Sequence, residues 1–226
     1  MPLHLHPTAP LAERVLLPGD PGRALALAQL LLDAPKMFNH NRGLWGYTGT
    51  ARDGEALTIQ STGMGGPSAA IVLHELVALG ARRAIRVGTC GALLSSLELG
   101  DLVVATEAIC ADGTSRALGA DGRAPADAEL GAALVAAARG SVAGAIVSVD
   151  LFYDDVERVR EHDAIAVEME AAALFALGAS SPAAVACVLC VSDTFTPDGE
   201  RRRIDAETLR AAVERMGTVA LAALAY

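Results

Sequence analysis

The sequence has little of what several classes of protein need. Its four cysteines in 226 residues are too few and too scattered for the disulfide framework of a small secreted domain. Basic residues are the minority, with 18 Lys and Arg against 27 Asp and Glu, and the net charge of -9 repels a nucleic-acid backbone. The longest wholly apolar run, Ala183–Val191, is much shorter than the roughly 18 residues that cross a bilayer. We therefore expect neither nucleic acid nor membrane as a partner.

Other signals of location and metal binding are also missing. Residues Met1–Pro7 contain no basic region followed by an apolar stretch, so we expect no secretory signal and a cytoplasmic protein. None of the five histidines is spaced with cysteines or acidic residues as metal ligands are, so we expect no metal. With 52% hydrophobic and 20% charged residues, the chain can bury a large core, and we expect residues 1–226 to form one domain.

One cysteine pair has the spacing of a redox motif. Cys187 and Cys190 form C-x-x-C, but they lie in an apolar, β-branched run, where residues three apart point to opposite faces of a strand. We therefore predict two buried, unreactive thiols.

The order of short apolar runs and amphipathic segments predicts an α/β layered fold. The predicted strands are Arg14–Leu17, Leu57–Ser61, Ala84–Gly88, Leu102–Ile109, Ala145–Val149, Ile165–Met169 and Val185–Ser192. The predicted helices are Gly22–Leu32, Pro67–Leu79, Ala126–Ala138, Glu170–Leu177 and Asp205–Leu224. The polar stretches Ala111–Pro125 and Thr196–Arg203 are predicted to be loops that cover a site.

Three glycine-rich turns that follow predicted strands share one physical design. They are Leu17–Arg23, Ser61–Ser68 and Arg86–Ala92. Glycine lets the backbone approach a ligand closely, and a helix N-terminus attracts negative charge. Together these turns predict an oxyanion site, although tight turns often need glycine for their backbone alone. None of them matches the fingerprints of dinucleotide or ATP sites.

Carboxylates follow two of the apolar strands. Glu168 and Glu170 bracket Met169 between flanks that are predicted to be buried, and a carboxylate beside a core needs a partner such as a sugar hydroxyl. Asp193 follows the strand Val185–Ser192. In an apolar site, desolvation raises the pKa of such a carboxyl and lets it donate a proton, whereas the simpler interpretation is a turn or helix-capping residue.

Seven motifs in a fixed order carry a resemblance to a known family. They are Gly19-Asp20-Pro21-x-Arg23, Arg42-Gly43-x-x-Gly46-Tyr47-Thr48-Gly49, Thr62-Gly63-Met64-Gly65, Arg86-Val87-Gly88-Thr89, Asp150-Leu151-Phe152-Tyr153, Val167-Glu168-Met169-Glu170 and Val191-Ser192-Asp193. Together they resemble the hexameric, bacterial-type purine nucleoside phosphorylases and their uridine phosphorylase relatives.

The resemblance implies a fold, a reaction and an assembly. The fold is a three-layer αβα sandwich around a mixed, partly barrel-like sheet. In the reaction, inorganic phosphate attacks C1′ of a purine nucleoside and gives a free base and ribose 1-phosphate, or its deoxy counterpart. Phosphate is a co-substrate and no cofactor is needed. The assembly is a homohexamer built as a trimer of dimers.

The resemblance also implies roles for individual residues. The phosphate site comprises Gly19, Arg23, Arg86 and Thr89, with Arg42 from a neighbouring subunit. The ribose site comprises Met169 and Glu170, with His4 from the neighbour and His6 as the competing candidate. The base pocket comprises Phe152, Glu168, Cys90 and Gly91, with ordinary core packing as the alternative for Phe152. Asp193 protonates N7 of the purine, assisted by one of Arg201, Arg202 and Arg203, of which we favour Arg203.

Three other functions remain as alternatives. A nucleosidase that uses water would not need Arg23, Arg42 and Arg86 around a phosphate. A uridine phosphorylase lacks an acid at the position of Asp193 and has pyrimidine-reading residues in the preceding loop, where Gly113–Gly122 offers no glutamine. A nucleoside-binding sensor could dispense with the acid. The sequence does not rank inosine, guanosine, adenosine and methylthioadenosine as substrates.

Overall fold

A computed structural model describes residues 2–153, 156–196 and 200–225, in which strands and helices alternate. The strands are β1 (Arg14–Leu17), β2 (Leu32–Asn39), β3 (Gly46–Ala51), β4 (Ala56–Gln60), β5 (Arg83–Ala92), β6 (Leu102–Cys110), β7 (Arg123–Pro125), β8 (Val142–Ser148), β9 (Ala166–Glu168), β10 (Ala184–Phe195) and β11 (Arg201–Arg203). The helices are α1 (Pro21–Leu31), α2 (Gly66–Leu79), α3 (Gly113–Ala117), α4 (Ala128–Ala137), α5 (Val156–Arg160), α6 (Ala171–Ala179) and α7 (Ala206–Leu224).

The strands of the described residues join in one mixed sheet. Its order is β11-β10-β6-β8-β9-β5-β1-β4-β3-β2, with β7 beside β6. Strand β5 pairs in parallel with β1 and β10 and in antiparallel with the short β9. Because β10 pairs with both β5 and β6, the strands β5, β10, β6, β8 and β9 close into a ring. This ring is the barrel-like part that the resemblance implied.

Helices cover both faces of the sheet. On one face, Leu73 of α2 and Phe175 of α6 belong to a buried core. On the other face, Leu27 of α1, Leu134 of α4 and Met216 of α7 belong to a second core. The predicted three-layer αβα fold is therefore confirmed. No helix in the described part of the chain is both long and apolar enough to cross a bilayer.

Strand β10 shows why an uninterrupted apolar run forms the centre of such a fold. Its side chains alternate between the two cores, and Cys187 lies in the first core while Cys190 lies in the second. Both thiols are buried and free. Burial raises the pKa of Cys190 to about 11 and raises that of Cys187 further. The C-x-x-C spacing is therefore that of two protonated core thiols, as predicted.

The helix boundaries follow from capping residues. Asp20 precedes α1 and accepts a hydrogen bond of 2.6 Å from the Arg23 N–H, with Pro21 in the first turn. Asp127 and Asp205 cap α4 and α7 in the same way. The cap at Asp20 matters most for function, because it fixes the first turn of α1 next to the end of β1.

Both stretches that the sequence predicts as loops contain regular structure. In Ala111–Pro125, Asp112 caps the short helix α3, and the last three residues pair with β6 as β7. In Thr196–Arg203, residues 197–199 lie outside the described residues, but Arg201–Arg203 pair with β10. The loop predictions were wrong there because pairing with the strand that precedes each segment orders residues that have no apolar pattern of their own.

Candidate active site

A cavity of about 420 Å³ lies at the edge of the sheet where β1, β4, β5, β8, β9 and β10 end. Twelve residues that the sequence singled out line it, namely Gly19, Arg23, Arg86, Thr89, Cys90, Gly91, Phe152, Glu168, Met169, Glu170, Asp193 and Arg203. The remaining lining residues are Asp20, Pro21, Gly63, Met64, Val149, Leu151, Val159, Val167, Ser192, Phe195 and Arg201. Topology thus gathers residues from most of the chain into one place.

Two glycine turns form the wall beside α1. The Gly63 N–H donates to the Gly19 carbonyl at 3.0 Å, so the turns after β1 and β4 are joined by their backbones. Gly63 has φ +73, and a Cβ there would lie 2.6 Å from the Ser68 hydroxyl oxygen. Arg23 projects from the first turn of α1 into this wall. Burial lowers the pKa of Arg23 below its usual value, but a guanidinium stays charged at neutral pH.

Arg86 is held between two buried carboxylates. Its Nε donates to Glu168 Oε2 at 2.9 Å, and its Nη2 lies 2.5 Å from Glu170 Oε2. Burial opposes the charge, but attraction from Glu170 and Glu168 outweighs it and raises the pKa of Arg86. Gly88 leaves room for this guanidinium, because a Cβ at that position would lie only 2.7 Å from Arg86 Cζ. The result is a permanently charged cation at a fixed position.

Both carboxylate oxygens of Glu168 accept hydrogen bonds from other residues of the chain. Its two oxygens accept from Arg86 and from the backbone N–H groups of Glu170 and Ala171 at 2.9–3.0 Å, and Oε1 also accepts from the Ser148 hydroxyl. Burial raises the pKa of Glu168. Although Glu168 lines the cavity, these contacts favour a role in holding Arg86 and the start of α6 over contact with a base.

Glu170 connects the cation to a glycine turn. Its Oε1 accepts from the Gly65 N–H at 2.6 Å, while Oε2 faces Arg86. Sequence reasoning missed Ser148, which donates to Glu168 and accepts from the Ala172 N–H at 2.9 Å. A lone polar residue at the end of the apolar strand β8 was the signal that could have found it.

Asp193 projects into the other part of the cavity, and one of its carboxyl oxygens accepts no hydrogen bond. A bulge in the pairing of β10 with β5 occurs between Val191 and Asp193. The Ser192 hydroxyl donates to Asp193 Oδ2 at 2.6 Å, whereas Oδ1 is buried without a hydrogen bond. Arg203 lies opposite Asp193 in the β10–β11 pairing, with its Nε 3.3 Å from Oδ1 but not aligned for a hydrogen bond. A buried acceptor that receives no hydrogen bond and borders a cavity is typical of a group that meets a ligand.

Strand alternation separates the three consecutive arginines. Arg201 and Arg203 line this cavity, whereas Arg202 lines a different pocket with Ala92 and Arg160. The Arg201 guanidinium lies 4.2 Å from the centre of the Phe152 ring and 5.5 Å from that of Phe195. This geometry supports the choice of Arg203 as the neighbour of Asp193 and gives Arg201 a separate place on the aromatic wall.

The thiol of Cys90 contributes shape more than chemistry to the cavity. Its side chain is buried beside Gly91, and burial raises its pKa well above the usual value. A Cβ at Gly91 would lie 3.1 Å from the Phe195 ring, so this glycine lets the aromatic residue approach β5 closely. Together with Val167 and Phe152, these residues make this end of the cavity apolar.

His4 and Arg42 do not line the cavity of their own chain. The backbone N–H groups of Leu3, His4 and Leu5 donate to Glu75 on α2, and His4 Nδ1 lies 2.8 Å from Glu75 Oε1. Burial opposes the charge of Glu75, but these hydrogen bonds lower its pKa to about 2.

A second contact ties the N-terminal segment to the turn that carries Arg42. The Asn41 side-chain amide donates to the His4 carbonyl at 2.8 Å. The structure therefore brings His4 and Arg42 close together, on a part of the surface outside their own cavity. His6 is exposed next to this segment, and its N–H donates to the Asn39 side chain at 2.8 Å.

No group of three or more His, Cys, Asp or Glu residues is placed to hold a metal ion within residues 2–153, 156–196 and 200–225.

Comparison with known proteins gives a consistent family. Residues 13–225 match the family described as the phosphorylase superfamily. The chain is 38% identical to "Purine nucleoside phosphorylase DeoD-type" of Geobacillus kaustophilus over 82% of its length and 83% of that protein. It is also 38% identical to the protein of the same description from a Jannaschia species, over 90% of its length and 94% of that protein.

Proposed function

The chain belongs to the phosphorylase superfamily, and on that premise we propose that it is a pentosyltransferase that cleaves purine nucleosides with inorganic phosphate. The products are the free base and ribose 1-phosphate or deoxyribose 1-phosphate. The observation that carries the proposal is that one cavity holds the cations Arg23 and Arg86 at one end and, at the other, an Asp193 carboxyl oxygen that accepts no hydrogen bond.

The spacing of these two ends suits a nucleoside and a phosphate side by side. The Arg86 guanidinium lies beside Gly88 of β5, and Asp193 is paired with Gly91 of the same strand. Three residues of β-strand separate these positions by about 10 Å. A ribose bound by Met169 and Glu170 then lies between phosphate at Arg86 and a base near Asp193.

The chemistry follows from this placement. A phosphate oxygen held by Gly19, Arg23, Arg86 and Thr89 forms a bond to C1′ as the bond from C1′ to N9 breaks. The electron pair of the broken bond passes into the purine, and the proton of Asp193 moves to N7. Arg203 stabilises the carboxylate that Asp193 becomes. Fixed charges at both ends thus meet the charge that develops in the transition state.

A second copy of the chain completes this proposed site. In this proposal Arg42 reaches the phosphate and His4 the ribose 5′-hydroxyl of a neighbouring subunit, as the resemblance implies, and the proposal is supported by the absence of both residues from the lining of their own chain's cavity. In this proposal residues 1–226 act as one domain, and dimers that share sites in this way assemble three at a time into a hexamer. In this proposal the reaction takes place in the cytoplasm, as we expect from the sequence, and it requires no cofactor, as the resemblance implies, and no metal.

A phosphate-dependence assay tests the proposed reaction. The purified protein is incubated with inosine, guanosine, adenosine or uridine, with and without phosphate, and the release of base and sugar phosphate is followed. We expect purine release that requires phosphate, and ribose 1-phosphate as product. Undiminished release without phosphate would indicate hydrolysis instead, and a preference for uridine would indicate a pyrimidine enzyme.

A further inference from the structure

Glu75 of α2 is a buried carboxylate that the proposed reaction does not use. Its side chain is 10% exposed, and burial of a charge is costly unless hydrogen bonds satisfy it. It accepts from three successive backbone N–H groups, those of Leu3, His4 and Leu5, at 2.7–3.0 Å. The carboxylate therefore serves the N-terminal segment, whose residue Leu5 precedes it by 70 positions in the chain.

The same carboxylate contacts the ring of His4 through one defined nitrogen. His4 Nδ1 lies 2.8 Å from Glu75 Oε1. Burial opposes the charge of Glu75, but its hydrogen bonds lower its pKa to about 2, so at neutral pH this carboxylate only accepts. Nδ1 therefore carries the hydrogen of the contact, and Nε2 is the ring nitrogen that remains for another group.

The backbone on either side of the His4 ring is also held. The Asn41 side-chain amide donates to the His4 carbonyl at 2.8 Å, and the next residue, Leu5, is fully buried. The His4 side chain itself is 30% exposed. A partly exposed side chain that is held at its backbone and at one ring nitrogen has lost much of its freedom before a ligand arrives, so binding costs less entropy.

We propose that Glu75 is a positioning residue that holds the His4 imidazole for the ribose 5′-hydroxyl of a nucleoside in the neighbouring subunit. The inference rests on the proposed function, which assigns His4 to that hydroxyl, and it adds the residue that orients the ring. Glu75 does not line the cavity of its own chain, and it acts through His4. Groups that bind a ligand need such support from the residues behind them.

The substitution Glu75→Gln changes the chemistry of this contact while it keeps the size of the side chain. Both carboxylate oxygens face N–H groups, Oε1 those of Leu3 and His4 and Oε2 those of His4 and Leu5. An amide has only one acceptor oxygen, and its nitrogen is a donor. Wherever the amide nitrogen is placed, it meets another donor. The segment or the ring then has to move, and His4 loses its position.

The test compares inosine with 5′-deoxyinosine, which lacks only the 5′-hydroxyl. Both nucleosides are measured on the same protein, so the folded fraction cancels from the ratio of their kcat/KM values. We expect the wild type to favour inosine by about tenfold, the contribution of one well-placed hydrogen bond. His4→Ala and Glu75→Gln should each lower this ratio to about twofold or less. The double variant should lower it no further, because both changes remove the same interaction.

Two more variants control for general damage to the N-terminal segment. The Thr8 hydroxyl donates to the Met37 carbonyl at 2.7 Å, so Thr8→Val removes an anchor of this segment away from His4, and its ratio should equal that of the wild type. Glu75→Asp keeps the charge but shortens the side chain by one methylene, so its ratio should fall. This variant reports on the inference even where Glu75→Gln yields too little folded protein.

The outcomes separate this inference from the proposed reaction. A ratio that both Glu75 variants leave at the wild-type value, or that Thr8→Val lowers as much as Glu75→Gln does, would overturn the inference while phosphorolysis stands. A wild-type ratio near one would also overturn it, because His4 would then not serve the 5′-hydroxyl. Absence of phosphate-dependent cleavage of inosine by the wild type would instead refute the proposed function.

Discussion

Arg86→Met is the change that tests the charge arrangement of the cavity most directly. It removes the cation that contacts both Glu168 and Glu170, while the unbranched methionine side chain keeps much of the packing. In the wild type the side chains of all three residues are at most 8% exposed. Removal of one partner from a buried ion pair costs about 3–5 kcal/mol, because the remaining charge stays buried without compensation. Here two carboxylates remain and repel each other, so we expect a loss of unfolding free energy near the upper figure.

The loss should depend on pH in a defined direction. Burial already raises the pKa of Glu168 in the wild type, and without Arg86 that pKa rises further. A carboxyl whose pKa is higher in the folded state than in the unfolded state binds its proton more tightly when folded. Stability is therefore lost as pH rises from the unfolded pKa through the folded one. The deficit of Arg86→Met should be largest near about pH 8 and smaller near about pH 5.

Urea unfolding at several pH values, at a fixed protomer concentration, measures both effects. The double variant Arg86→Met with Glu168→Gln should recover part of the loss, since one of the two repelling charges is gone. Arg14→Met is the control, because Arg14 pairs with Asp53 outside the cavity. The pKa of Asp53 is lowered, so Asp53 does not titrate between these pH values, and the loss of unfolding free energy in Arg14→Met should stay constant. A deficit below about 1 kcal/mol for Arg86→Met, or one that does not change with pH, would refute the buried arrangement.

Three further predictions concern the acid, the N-terminal segment and the assembly. Asp193→Asn should lower kcat by about 10²-fold or more while nucleoside binding persists, because the proton donor for N7 is lost. Near wild-type turnover in steady-state kinetics would show that Asp193 has no part in the mechanism. Glu75→Gln should lower the melting temperature at neutral pH. The lowered pKa of Glu75 stabilises the wild type, and this stability is lost as pH falls from about 4.5 to about 2. The difference in melting temperature between wild type and variant should therefore shrink across that pH range. Arg42→Ala subunits and Asp193→Ala subunits, each inactive alone, are mixed and allowed to exchange. About half of the resulting pairs are mixed, and one of the two sites in each mixed pair is intact, so roughly a quarter of the sites should regain activity. No recovery after proven exchange would mean that Arg42 does not act across subunits.

The predictable part of the fold is the part with a strong local pattern. Strand β10 and helix α7 are found close to their predicted bounds, because a long apolar run and a capped amphipathic segment admit few alternatives. Strand β2 was missed because Pro35 and the positive φ of Ala34 interrupt it, and its pairing with β3 is irregular between Asp33 and Lys36. Its place in the sheet comes from the partner strand more than from its own residues.

The same distinction applies to the site. Glu168 and Glu170 are two residues apart, and the sequence predicted that both need partners, but it contains no local sign that one buried arginine serves them both. The choice between Arg201, Arg202 and Arg203 depends on strand β11, whose three arginines have no β pattern until β10 pairs with them. Contacts between segments far apart in the chain, such as Gly65 with Glu170, are set by topology alone.

The arrangement of His4 and Arg42 supports the proposal that the site is shared between copies of the chain. Arg42 adopts φ +59, a left-handed conformation that costs a non-glycine residue about 1–2 kcal/mol. Within the residues described, its guanidinium makes no hydrogen bond or ion pair that offsets this cost. Glu75 meanwhile holds His4 through Nδ1, so Nε2 takes no part in that contact. Asn41 ties this strained turn, with the Arg42 guanidinium on it, to the imidazole of His4. Strained backbone of this kind is often found at functional sites, and the proposed role for this pair is to bind an anion and a hydroxyl in a neighbouring subunit.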